Sequence, residues 1–250
     1  MYKSKTSKTC VVMPTYNNDG TLRDVVERVL QFCPDVIVVN DGCTDSSTDI
    51  LAAFGKKITV VEYGKNRGKG YALKQGFKKA IELGFDYAIT IDSDGQHFPE
   101  DIPLFVRMSE QNPNAMIVGS RNLREENMPS KNTFANKFSN FWFKIQTGVS
   151  LPDTQTGYRL YPLKNLPNMR FLTSRYEAEL ELLVGAAWHG LDLIPININV
   201  FYPKAEERVT HFRPFWDFLR ISVLNTILCI LAIVYGLPSR LIRRARRRHE

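Results

Sequence analysis

The segment YAITIDSDGQHFPE (87–100) runs from strand-like apolar residues directly into two carboxylates, Asp92 and Asp94, one residue apart. Acids so placed at a strand end can converge on a hard divalent cation, which takes oxygen ligands and often keeps positions open for phosphate oxygens. Gln96 adds a side-chain carbonyl oxygen two residues on. The same stretch also suits an Asx turn before a helix, with Pro99, Glu100 and Asp101 in a first helical turn, and the two readings are compatible. An EF-hand loop does not fit, because the glycine falls at its fourth position rather than its sixth. NRGKGYA (66–72) is no Walker loop either, since its Gly-Lys is followed by glycine instead of Ser or Thr.

Positioning these groups falls to alternating strands and helices. TCVVM (9–13), DVIVVN (35–40), ITVVEY (58–63) and DYAITID (86–92) read as strands. Between them, Leu22, Val25, Val26, Val29 and Leu30 share one helical face, a weaker helix starts near Ser46, and Leu73, Phe77, Ala80 and Ile81 share another face. This order predicts an α/β fold, a mostly parallel sheet with right-handed crossovers and helices on both faces. Ligands of such sheets bind beyond the carboxyl ends of the strands. There lie PTYNND (14–19), NDGCTDSS (40–47), GKNRGKG (64–70) and DSDGQH (92–97). Gly, Asn and Asp also dominate ordinary turns, but four such loops on one edge point to a binding site.

The 250 residues and 44% hydrophobic content suffice for a real core. Cys10, Cys33, Cys43 and Cys229 are scattered, with no CxxC pair and no metal spacing to histidine, which suits a reduced compartment. The basic N-terminus is followed by an apolar run that stops at Pro14, too short for a signal peptide, so the catalytic body is expected on the cytoplasmic side. Of the net charge of +7, the last eleven residues, RLIRRARRRHE, carry +5. The nearly neutral body argues against a nucleic-acid groove.

Taken together, PTYNN, VVNDGCTDSS, NRGKGYALKQG and IDSDGQHFPE resemble the family-2 glycosyltransferases of GT-A fold, of the dolichyl-phosphate mannose synthase type, over roughly residues 9 to 210. The resemblance implies that Pro14, Tyr16, Val39 and Asp41 hold the nucleoside of a sugar nucleotide, with Asn18, Lys69 and Ser93 also at the substrate. It implies Mg²⁺ or Mn²⁺ on Asp92, Asp94 and Gln96, bridging the diphosphate. Two departures remove a charge near the nucleoside: Asn18 stands where the family usually has Glu, and Asn40 where it usually has Asp.

Downstream, Arg121 follows a fifth strand, AMIVG (115–119), and Arg159 closes DTQTGYR, which resembles the family's Asp-x-x-x-Gly-x-Arg element. With Asp94 they form the expected catalytic set. Each arginine could pair with a phosphate bidentately, and Arg159 could equally make a structural ion pair. A helix over 175–190 would turn Tyr176, Leu180, Leu183 and Ala187 to the core. Its Glu177 and Glu179 either favour the helix dipole or face the acceptor, and His189 fits its C-terminus.

A sugar hydroxyl acceptor needs a general base, whereas a lipid phosphate is already anionic and needs cations. After LIPININVFY (193–202) come Lys204, Arg208, His211 and Arg213, and the QxxRW element of hydroxyl-transferring relatives is absent. The expected acceptor is therefore a polyprenyl phosphate. ISVLNTILCILAIVYGL (221–237) is 17 residues without charge, about 25 Å as a helix, short of a bilayer core of roughly 30 Å. It is expected to lie in the cytoplasmic leaflet, with the arginines on anionic head groups. A buried core helix is the alternative. The expected domains are 1–212, catalytic, and 213–250, membrane-associating. Competing functions are transfer to a lipid or glycan hydroxyl, nucleotidyl transfer, which would want a Gly-rich, Arg-containing first loop, and a noncatalytic membrane adaptor.

Overall fold

The computed structural model describes residues 7–121, 130–168, 173–201 and 214–239. Their elements run β1 (Thr9–Thr15), α1 (Asp19–Phe32), β2 (Val36–Asn40), α2 (Ser47–Phe54), β3 (Thr59–Glu62), α3 (Lys69–Glu82), β4 (Tyr87–Thr90), α4 (Ile102–Gln111), β5 (Met116–Arg121), α5 (Ser130–Thr147), β6 (Arg159–Pro162), α6 (Glu177–Trp188), β7 (Leu193–Ile198) and α7 (Pro214–Leu231). The strands form one seven-stranded sheet in the order β3-β2-β1-β4-β6-β5-β7. Every pairing is parallel except those of β6, which runs antiparallel to both β4 and β5.

Strand alternation divides the core in two. Cys10, Val12, Ile37, Val39, Ala88 and Met116 face a layer formed by α3, α5, α6 and α7. Val11, Met13, Val36, Val38, Ile89 and Ile117 face α1, α2 and α4. A period of two with both faces apolar is what a sheet covered on both sides requires, and it explains the continuous rather than alternating runs in β1 and β2. The expected face of α1 is buried, with Leu22, Val25, Val26 and Val29 inside. After β1 the chain moves to β2 and β3 on one side, while β4 lies on the other side of β1. The switch point is therefore between β1 and β4, where open α/β sheets leave a crevice at the carboxyl ends.

Three features differ from the sequence reading. Nothing in RLYP (159–162) announced an antiparallel strand in the middle of the sheet. Helix α6 is buried on nearly all sides, acids included, instead of on one face. Around the 17-residue apolar run the helix is longer than the run itself: Leu219–Ser239, 21 residues holding an 18-residue window of mean hydropathy 2.1, is long and apolar enough to cross a membrane. One stripe of it, Leu224, Asn225, Leu228 and Ala232, is buried, so it is neither a free span nor a fully covered core helix. Gly236 belongs to the same stripe, and a Cβ there would run into the Trp188 ring.

Candidate active site

Four loop ends meet at the carboxyl edge around the switch point. The DSD loop after β4 is held by its central residue: Ser93 is buried, its Oγ receives a hydrogen bond from Asn18 Nδ2 at 2.8 Å and donates to the Pro14 carbonyl at 3.3 Å. Thr21 Oγ1 donates to the Ser93 carbonyl at 2.6 Å. Ser93 and Asn18 thus fasten the acid loop to the end of β1 and the start of α1, and this geometry gives both residues positioning work rather than an open face for substrate. Ser93→Ala is expected to cost about 1–2 kcal/mol in denaturant unfolding, because it strands the buried Pro14 carbonyl and leaves Asn18 without its partner.

Asp92 and Asp94 flank this anchor. Lys69, the first residue of α3, places its Nζ 2.7 Å from Asp92 Oδ1 and 3.1 Å from Glu179 Oε1 in the first turn of α6. Burial works against charge on Lys69, yet the Asp92 and Glu179 carboxylates outweigh it and raise the ammonium's pKa further. Burial also opposes ionisation of Asp92, but Lys69 overrides it and holds that carboxyl below its ordinary value. Asp94 makes no ion pair among the described residues, and Lys69 lowers its pKa less than burial and Asp92 raise it. Burial, then the charge of Asp92, push it up to about 6 from 3.8, although Gln96 N–H donates to its Oδ1 at 3.0 Å. A Cβ on Gly157, just before β6, would stand 2.7 Å from Glu179 Oε1 and 2.9 Å from Lys69 Nζ, so glycine there lets the backbone close over the cluster.

Next to the pair, His97 is buried against Tyr158 with ring centroids 5.3 Å apart, and burial lowers its pKa to about 4, so it is neutral at pH 7. The chain after β7 returns to this loop: Val200 bridges His97, and Phe201 N–H donates to the Gln96 carbonyl at 2.8 Å.

The two expected arginines are engaged by the protein itself. Arg121 forks onto Asp153, Nε to Oδ2 at 2.6 Å and Nη2 to Oδ1 at 3.0 Å, and Asn136 adds a third donor at 2.6 Å. Burial alone would raise the Asp153 carboxyl, but Arg121 keeps it below the ordinary range. Arg159 has no exposed surface, and it donates to the Glu179 carbonyl at 2.7 Å and the Thr154 carbonyl at 2.9 Å. Contact of its guanidinium with a phosphate does not fit this burial; it joins β6 to the first turn of α6 and so sets the position of Glu179. Asp41 likewise has both oxygens taken, by Arg67 N–H at 2.8 Å and Gly68 N–H at 2.9 Å, at the start of α3. It holds the 64–70 loop that presents Lys69. Val39 lies inside β2 with no exposed surface, paired with Pro14, which is itself buried. Tyr16 is half-exposed at the end of β1. Lys204, Arg208, His211, Arg213, the division at 212/213 and the arginine tail lie outside the described residues.

Among the described residues no group of three or more His, Cys, Asp and Glu side chains gathers as a metal cluster. Two carboxylates and an amide carbonyl are nonetheless a hard-oxygen set that fits Mg²⁺ or Mn²⁺, ions that commonly take one or two carboxylates and complete their shell with water and phosphate oxygens. Burial first, and the Asp92 charge second, raise the Asp94 pKa, and a bound cation would offset both. The sign gives a pH dependence. A carboxyl raised from 3.8 to about 6 contributes stability below its unfolded pKa that is lost as pH rises through about 6, while metal binding needs the deprotonated form. Titration with Mn²⁺ by calorimetry is expected to give a weaker apparent affinity at pH 5 than at pH 7, by roughly tenfold for one competing proton.

Glu179 as the second partner of Lys69 was not legible in sequence, since the three residues of the cluster are far apart in the chain. Asp153 was within reach, because it opens the same Asp-x-x-x-Gly-x-Arg element as Arg159.

Over 215 residues the chain is 29% identical to the UDP-N-acetylglucosamine–dolichyl-phosphate N-acetylglucosaminyltransferase of Methanococcus voltae, covering 78% of this chain and 86% of that protein. It is 28% identical to the polyprenol monophosphomannose synthase of Mycolicibacterium smegmatis, over 62% of each. Among solved structures, glucosyl-3-phosphoglycerate synthase from Mycobacterium tuberculosis superposes with a TM-score of 0.65 at 17% identity, over 90% of this chain and 80% of that one, a likeness of fold. The family model for glycosyl transferase family 2 matches residues 10–164, which hold the acid pair, Lys69, Arg121 and Arg159, and the chain belongs to that family.

Proposed function

We propose that this protein transfers a sugar from a nucleotide sugar to a polyprenyl phosphate at the cytoplasmic face of a membrane, with Mg²⁺ or Mn²⁺ held by Asp92, Asp94 and Gln96. The observation that carries the reading is the charge layout at the switch point: two acids one residue apart, with a single buried lysine bridging one of them to a third acid. The ion, when bound, supplies electrostatic stabilisation of the departing diphosphate. Lys69 stays charged at neutral pH and adds a fixed cation for the same phosphates. Glu177 Oε2 is buried without a hydrogen-bond partner among the described residues, which suits a hydroxyl donor of the sugar. By their names, the Methanococcus relative acts on dolichyl phosphate and the Mycolicibacterium relative makes polyprenol monophosphomannose, and a Mycobacterium tuberculosis synthase of similar fold was solved with Mn²⁺ and UDP-glucose.

The acceptor follows from where cations are available. Arg121 and Arg159 are committed inside the protein, whereas Lys204, Arg208 and Arg213 follow shortly after Phe201, whose amide is bonded to the DSD loop. An anionic lipid phosphate needs such cations and no base. Residues 1–212 are then the catalytic domain and 213–250 the membrane-associating part, with the apolar α7 in the cytoplasmic leaflet. Transfer to a hydroxyl is the second reading, favoured by Glu179 beside Asp92, where a carboxylate could take the proton.

A panel of UDP- and GDP-sugars tested by thermal shift with and without Mn²⁺ checks the donor side. At least one is expected to raise the melting temperature only with metal, since a ligand bound to the native state stabilises by mass action. If none does, the proposal fails at its first step.

A further inference from the structure

We propose that the outward face of α5 is a lipid-contacting surface continuous with the exposed face of α7, so that two helices seat the catalytic domain on an anionic leaflet. This extends the reading of α7 as membrane-associated and rests on it. Helix α5 is amphipathic in the inverted sense. Phe138, Phe141, Trp142 and Ile145 follow the helical spacing i, i+3, i+4, i+7, yet this stripe points outward, with Phe141 57% exposed. Of the inward residues, Asn136, Gln146 and Thr147 are polar and have no exposed surface, and Phe143 is the apolar one among them.

The inversion is fixed by hydrogen bonds. Asn136 donates to Asp153, Gln146 Nε2 to Asn225 Oδ1 of α7 at 2.9 Å, and Thr147 Oγ1 to the Phe143 carbonyl at 2.7 Å. Rolling α5 to bury its aromatic stripe would break the bonds of Asn136 and Gln146 to Asp153 and Asn225, whereas the Thr147 bond lies within the helix and turns with it, so the two inter-element bonds keep the apolar face outside. The rings are already packed together there, with Trp142 edge-on to Phe138 at 6.1 Å and to Phe141 at 5.6 Å.

Two observations identify lipid as the occupant. First, the Gln146–Asn225 bridge lays α7 beside α5, both helices supply the same core layer through Phe143, Leu224 and Leu228, and both turn their other faces outward. On α7 that face is apolar, with Val223 53% and Ile230 60% exposed. Second, the borders are cationic: Lys137 and Lys144 lie exposed on one flank of the α5 stripe, and Arg220 is exposed near the start of α7. Aromatic rings beside lysines suit the head-group region of an anionic membrane. A second copy of this chain would bring like charge against like charge.

The full chain can be tested on vesicles of phosphatidylcholine with about one-third phosphatidylglycerol, an anionic surface. Replacing Phe138, Phe141 and Ile145 together by Gln is expected to lower the vesicle partition coefficient at least roughly tenfold, with metal-dependent nucleotide-sugar binding retained. Unchanged partitioning with that binding retained overturns the proposal. Should the triple variant not fold, quenching by brominated lipids keeps it falsifiable: wild type is expected to be quenched more than Trp142→Phe, and equal quenching overturns it. A discrete dimer in sedimentation velocity, lost in the triple variant, would give the face to a second copy and overturn it as well. Loss of the acceptor reading is separable, because transfer to a hydroxyl acceptor with normal partitioning would leave this surface standing.

Discussion

Asp94→Asn is expected to lower sugar transfer by roughly a thousandfold while making the metal-free protein more stable. On the proposed function, activity falls because the substitution removes one of the two proposed anionic metal ligands, and with it an electrostatic contribution of the kind worth about a hundred- to a thousandfold in rate. Stability moves the other way. Asp94 is pushed up to about 6 by burial and by Asp92, so at pH 7 the folded protein holds an ionised group that costs on the order of 2 kcal/mol relative to the unfolded chain. Asparagine removes that charge and keeps an oxygen for the Gln96 amide. Urea unfolding at pH 7 without metal is expected to show the gain, and at pH 4, where Asp94 is protonated in the native state, the gain is expected to vanish. An equal loss of stability and activity would mean that Asp94 serves the fold.

The second large effect is on the fold. Arg159→Ala is expected to destabilise the protein by about 3–5 kcal/mol, because it leaves a cavity and removes the donors that reach the Glu179 and Thr154 carbonyls. For a chain of this size that corresponds to a melting temperature lower by roughly 10 °C. Arg159→Lys is expected to rescue little, since a lysine cannot present two donors in the fixed fork of a guanidinium. If Arg159 instead touched a phosphate, the lysine variant would melt like the wild type and show a raised KM for donor or acceptor. Thermal melts and steady-state kinetics on the same preparation separate these outcomes.

How far the sequence could be read depends on the range of the interaction. The four parallel strands from β1 to β4 and the helices α1 and α3 are local patterns of apolar residues, visible because both faces of the sheet are covered. The loops at their carboxyl ends followed from topology alone, and with them the acid pair. What each loop residue touches did not follow. Asp41 and Ser93 are polar residues at the right edge, but hydrogen-bond geometry spends them on the α3 start and on the β1 end. The Lys69–Asp92–Glu179 bridge joins three elements and has no sequence period. Strand β6 is four residues long, too short for a pattern, and its direction is set by the chain returning from α5. The apolar stripe of α5 follows the helical period, but such a period in a soluble domain points inward, and only the buried Asn136, Gln146 and Thr147 show that here it points out.

The central claim is the pairing of a metal-dependent nucleotide-sugar site with an anionic lipid acceptor. The most direct measurement is transfer of radiolabelled sugar by the purified full chain, with Mn²⁺ or Mg²⁺ present or chelated, to a polyprenyl phosphate and to the same polyprenol without its phosphate. Metal-dependent label is expected in the phosphate-bearing lipid alone, released by mild acid as a glycosyl phosphate would be. Label in the free polyprenol or another hydroxyl acceptor, with none in the polyprenyl phosphate, would contradict it.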